Sequence, residues 1–91
     1  MSKEIKSGQV RRLTEANLLE VAVTSLLFPS VAPNDTPAVG AVATLTVKDV
    51  PHAPYTSGEV ILYKNGNNNE STHLTVTRVI GPAKYAVTKR A

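Results

Sequence analysis

Hydrophobic positions along this chain recur mostly at every second residue, the period of a strand rather than of a helix. Over residues 39–50, Ala41, Ala43, Leu45 and Val47 alternate with Val42, Thr44, Thr46 and Lys48. That spacing predicts a strand with one apolar face and one partly polar face. Residues 59–64 predict another, with Val60, Ile61, Leu62 and Tyr63 half or more buried. Over residues 72–80, Leu74, Val76, Arg78 and Ile80 alternate with His73, Thr75, Thr77 and Val79. After the break at Gly81-Pro82, residues 85–88 predict a short last strand. Between the second and third of these strands lies Asn65-Gly66-Asn67-Asn68-Asn69-Glu70-Ser71, which has almost nothing to bury. Asn and Gly tolerate left-handed backbone, so residues 65–71 predict an exposed loop at the tip of a β-hairpin.

Residues 14–28 fit two patterns. As a helix, Thr14 is the N-cap, Pro29 lies just past the end, and Leu18, Leu19, Ala22 and Leu26 share a face. As a strand, Leu19, Val21, Val23, Ser25 and Leu27 alternate with Leu18, Glu20, Ala22, Thr24 and Leu26. The run Val21-Ala22-Val23-Thr24 tilts the choice to strand, because β-branched side chains lose rotamer freedom in a helix. Pro29, Pro33 and Pro37 then make residues 29–37 a linker.

Composition reinforces the β reading. Twelve Val, three Ile and ten Thr make up 25 of the 91 residues. The expected architecture is mainly β, a small antiparallel sandwich or partly open barrel of about five strands. Residues 1–12 are expected to extend from it as a basic arm, leaving residues 13–91 as a single β-rich domain.

A chain of this length buries roughly 60–65% of its unfolded surface, so its core is modest. Small domains often add disulfides, a metal or a partner. There is no cysteine, and His52 and His73 are too few for a typical structural metal site. A partner subunit is the remaining source of stability, which predicts a homo-oligomer or docking to another protein. No apolar run follows the charged start as in a signal peptide, and residues 18–28 are too short and interrupted to cross a bilayer. The expectation is a soluble chain that is not secreted by a signal peptide and has no membrane association.

Charge is segregated along the chain. Residues 1–12 carry Lys3, Lys6, Arg11 and Arg12 against Glu4, and residues 78–91 carry Arg78, Lys84, Lys89 and Arg90 with no acid. The stretch between them is net acidic. Basic ends can lie on nucleic acid or on an acidic protein surface. The candidate partner contacts are therefore Ile5, Val10, Arg11, Arg12, Lys84, Lys89 and Arg90, with Ile5 and Val10 as anchors of the arm.

Catalytic chemistry has little to work with. His52 lies between prolines and His73 follows the Asn loop, neither at a motif spacing from a nucleophile or an acid. The carboxylates are scattered, and the isolated glycines build neither a P-loop nor a dinucleotide fingerprint. No cofactor and no enzymatic activity are expected. Single-strand nucleic-acid binders pair a basic groove with stacking rings. The rings here are Phe28, Tyr55, Tyr63 and Tyr85, and the acidic middle opposes a phosphate-lined face, so nucleic acid is the lesser alternative.

Short length, absence of cysteine, richness in Ala, Val and Thr, proline-broken strands and basic ends together resemble the small accessory proteins of virions. The resemblance is particularly to the decoration or cement proteins of tailed-bacteriophage capsids. It lies in overall character and transfers no functional residue. It implies a β-rich protein, as a trimer, seated on capsid shell subunits and stabilising the particle through symmetry-repeated contacts. The location would then be the virion, and otherwise the cytoplasm. The competing classes are a basic β-barrel that binds nucleic acid and a small viral regulatory protein that binds a partner.

Overall fold

In the computed structural model, the residues described are 4–13, 20–28, 37–50, 54–66 and 70–90. Six strands form a closed antiparallel barrel: β1 (Glu4–Arg12), β2 (Val21–Phe28), β3 (Val42–Val47), β4 (Val60–Asn65), β5 (Ser71–Gly81) and β6 (Lys84–Lys89). Around the barrel their order is β1-β2-β3-β6-β5-β4, with β4 pairing back to β1. The chain thus makes two successive three-stranded meanders that join along two seams, β3 to β6 and β1 to β4.

The mainly β class and the antiparallel pairing agree with the sequence. The expected open sheet or sandwich of about five strands does not, because residues 4–12 supply a sixth strand and close the barrel. They do not extend as an arm. β1 pairs with β2 on one side and β4 on the other, so both its backbone edges are satisfied. A barrel strand needs apolar groups only at inward positions, and here Val10 meets that need at 1% exposure. Low apolar content over residues 1–12 was thus compatible with a stave as well as with an arm.

Gly8 makes the β1–β4 seam possible. A Cβ at that position would lie 2.0 Å from the Lys64 carbonyl oxygen and 2.9 Å from a Tyr63 ring carbon. Beside it, the Ser7 carbonyl accepts hydrogen bonds from the Tyr63 hydroxyl at 3.0 Å and the Gly66 N–H at 3.1 Å. The β1–β2 register shifts between Lys6 and Gly8, which turns the strand toward β4.

Irregularities of this kind also explain where simple alternation failed. In β2 the register shifts between Val23 and Ser25. Val21 and Val23 point inward before the shift, Leu26 and Phe28 after it, so the core parity changes within one strand. The strand choice therefore holds for residues 21–28, but not the single-face alternation; residues 14–19 lie outside the described residues. In β5, Leu74 and Val76 are in the core, whereas shifts at Thr77 and Ile80 leave Arg78, Val79 and Ile80 exposed. Ile80 does not share the face of Leu74. Asn65 is also a correction: it belongs to β4 and is buried, not part of an exposed loop.

The interior is a filled aliphatic core. Leu45, Ile61, Leu74, Val76 and Val87 are fully inaccessible. All four rings are buried with them, Phe28 and Tyr63 at 3% exposure, Tyr55 at 2% and Tyr85 at 1%.

Two substitutions test this construction. Gly8→Ala forces the β1–β4 seam apart at rigid backbone, so it should cost about 3 kcal/mol or more, with thermal melting lowered by more than ~12 °C. An unchanged melting temperature would contradict the close approach. Ala83 follows Pro82 in the β5–β6 turn with φ at 64°, a left-handed position. Ala83→Gly should raise stability by up to about 1 kcal/mol, read as a melting temperature a few degrees higher.

Candidate functional site

The barrel has two ends and a continuous outer wall, and each places charged side chains differently. At one end, the segment 54–59 seats Tyr55 in the mouth. Tyr55 packs edge-on against Tyr85, with ring centroids 5.4 Å apart and planes at 67°. The Tyr55 N–H donates to the Tyr85 hydroxyl at 3.2 Å. Arg12 closes over this plug from β1. Its guanidinium carbon stands 5.2 Å from the Tyr55 ring centre, Nε donates to the Glu59 carboxylate, and an Nη donates to the Pro54 carbonyl at 2.5 Å. Glu59 in turn accepts from the Thr56 N–H at 2.9 Å. Arg12 is thus an internal clamp, not a free cation for a partner.

At the opposite end, Leu26, Phe28, Tyr63 and Leu74 floor a cavity of about 60 Å³, with Glu70 and Lys89 at its rim. Ligand pockets span ~300–1,000 Å³, so this one suits no ordinary metabolite. Lys89 Nζ donates to the Pro37 carbonyl at 2.7 Å, which ties the β6 end to the start of the segment before β3.

The outer wall divides by charge. On β1 and β4, Arg11 and Lys64 share an open groove with Glu20 and Leu62, where the signs are mixed. The wall of β3, β6 and β5 differs. Cross-strand register places Val42, Thr88, Thr75 and Val60 in one row and Thr44, Ala86 and Arg78 in the next. Lys84 pairs with Thr46 at one end, beside Lys48 on the same alternation. Arg90 and His73 stand at the other end, where the Arg90 N–H donates to the His73 carbonyl at 3.0 Å. No outward residue of these three strands is acidic. Lys48, Arg78, Lys84 and Arg90 are all exposed and have no carboxylate partner among the described residues. Between those ends the wall is Val, Thr and Ala, half-buried apart from Val42 at 61% exposure, with Arg78 at the β5 edge opposite Ala86.

The seven candidate contacts are therefore not brought together. Val10 is in the core and cannot anchor a partner. Ile5 pairs with Leu27, and its side chain lies outside the described residues. Arg11 faces the mixed groove, Arg12 the plug and Lys89 the small cavity. Lys84 and Arg90 share one wall, and there Lys48, Arg78 and His73 join them. Sequence spacing could not reveal that group, because it rests on the β3–β6 pairing. Among the described residues no three His, Cys, Asp or Glu side chains converge as a metal site. His52 lies outside the described residues.

Burial raises the Tyr55 hydroxyl to a pKa of about 12, opposed by the nearby Arg12 charge and reinforced by Glu59 and Tyr85. The folded protein therefore holds Tyr55 protonated where an unfolded chain, with pKa near 10, would ionise it. This contribution is complete below about pH 10 and is lost as pH rises toward 12. It amounts to about 3 kcal/mol. Tyr55→Phe should flatten that alkaline loss of stability, measured by denaturant unfolding at pH 9 and pH 11.5; an unchanged pH slope would refute the buried phenol. Compared with known proteins, the chain matches no family model, no curated protein and no solved structure.

Proposed function

We propose that this chain is a non-enzymatic docking component of a larger protein assembly, of the kind that decorates or cements a virion capsid shell. The observation that carries this is the β3–β6–β5 wall: Val, Thr and Ala along its middle, the exposed Arg78 at its β5 edge, and exposed cations at both ends with no carboxylate partner among the described residues. Charge depletion at the centre with a polar rim is the anatomy of a protein interface. The rest of the fold supports such a role. The interior is filled, the plug is clamped by Arg12 and Glu59, and the seams are closed, so the barrel can present a wall without changing shape. Many copies of a modest contact, repeated by shell symmetry, add up to substantial stabilisation.

Cosedimentation with shells assembled from the major capsid protein of the same genome tests this. The expected outcome is saturable binding at a fixed ratio to shell subunits, with a higher shell melting temperature. A chain that stays in the supernatant and leaves shell melting unchanged would overturn it, as would a genome that encodes no shell protein.

A further inference from the structure

Resting on that docking function, we infer that the β3–β6–β5 wall is the docking surface and that its partner is a protein surface with an uncharged centre and acidic groups at its rim. Charge complementarity selects this occupant. Lys84 and Arg90 mark the two ends of β6, and six residues of strand place them ~20 Å apart. Lys48 sits with the first and His73 with the second, and Arg78 stands at the β5 edge opposite Ala86, between them. Every charge on the wall is positive and none is neutralised within the described chain. Elsewhere among the described residues, Arg12 is held by Glu59 and Lys89 by the Pro37 carbonyl, while Arg11 and Lys64 line a groove that also holds Glu20. At physiological salt the screening length is ~8 Å, so the two cationic ends act independently and require a carboxylate opposite each.

Two other occupants fit less well. A second copy docked wall to wall would set cations against cations with no carboxylate between them. Nucleic acid would want cations tracking along the middle of the wall and rings for stacking. Here the two inner rows hold Val42, Thr88, Thr75 and Val60, then Thr44 and Ala86 with Arg78 at the β5 edge as their one charge, and all four aromatic rings lie in the core. Beyond the cations, the β5 end adds Val79 and Ile80, exposed at 48% and 43%, as apolar contact between Arg78 and Lys84.

The test uses three probes on the intact chain: a 20-residue poly-glutamate peptide, a duplex DNA of equal charge, and the capsid shell. Titration with poly-glutamate should move the backbone NMR signals of Thr46, Thr75, Ala86 and Thr88 and leave those of Gln9 and Arg11 in place. The double variant Arg78→Glu with Lys84→Glu should lose at least tenfold in affinity for peptide and shell. Arg11→Glu with Lys64→Glu should lose less than twofold. Both pairs are exposed, and unchanged circular dichroism and melting would confirm that they fold. Signals that move on the β1–β4 groove, no binding of the peptide, or tighter binding of the DNA would each overturn the inference. So would a dimer whose interface maps to this wall. Shell binding that survives Arg78→Glu with Lys84→Glu would overturn the surface while leaving the docking function standing. Loss of shell binding by the unaltered chain would remove the function itself.

Discussion

The close approach of β1 to β4 at Gly8 is the constraint on which the rest of the molecule depends. Without a side chain at Gly8, the Lys64 carbonyl and the Tyr63 ring can lie against the β1 backbone. That contact lets β1 pair on both sides, and a strand paired on both sides is what turns two meanders into a closed barrel. Closure matters more in a chain of this size than in a larger one. A small domain has little core to spare, and an open sheet would leave unpaired backbone as well as exposed apolar surface. Closing the ring satisfies both at once and frees the outer wall from any part in holding the fold.

Closure also creates two mouths, and the chain treats them differently. The crossover between meanders fills one with Tyr55, whose ring packs against Tyr85 and lies under Arg12. Arg12 belongs to β1 and Glu59 precedes β4, so their ion pair ties the plug to the same seam that Gly8 makes close. Both groups are largely buried, with side-chain exposures of 19% and 9%, so removing one partner would strand a charge in a poorly hydrated place. At the other mouth a small cavity remains over Leu26, Phe28 and Leu74, with the Lys89 ammonium held by a backbone carbonyl. The second mouth lacks the volume of a substrate site, and at the first an open depression of about 490 Å³ is lined by Arg12, Thr56, Ser57, Gly58 and Glu59, whose two charges are paired with each other.

With the interior filled, what distinguishes the molecule lies outside. Among the described residues, the cations of the two chain ends divide into those absorbed by the fold, those left on the wall, and Arg11 in the mixed groove. Arg12 and Lys89 are absorbed. Lys84 and Arg90 remain on the wall because β6 alternates, sending Tyr85 and Val87 inward and Lys84 outward, a parity that Arg90, just past the strand, continues. Lys48 and Arg78 join them only because β3 and β5 flank β6. The β1–β4 side carries Glu20 among its cations, so the barrel has one mixed side and one purely positive side.

Much of the secondary structure was legible in the residues. β-Branched content and alternation placed β3, β4, β5 and β6 to within a few positions, since a side chain's face on a strand follows from local backbone geometry alone. The break at Gly81-Pro82 was equally local, whereas Asn65 of the expected Asn-rich loop belongs to β4 and residues 67–69 lie outside the described residues. The missing strand was β1, because Gly8 and Val10 are sufficient for a stave only when β2 and β4 are already beside them. The parity changes in β2 and β5 were hidden for a related reason: a bulge is a property of two paired strands, and alternation read along one strand carries no trace of it. The charge pattern was read correctly as two basic ends but grouped by sequence distance. Tertiary pairing regrouped it, dispersing Arg11, Arg12 and Lys89 and setting Lys84 and Arg90 beside Lys48, Arg78 and His73. Local sequence determined which segments are strands and which faces are apolar; long-range hydrogen-bond register, which no single segment encodes, decided the closure of the barrel and the surface it presents.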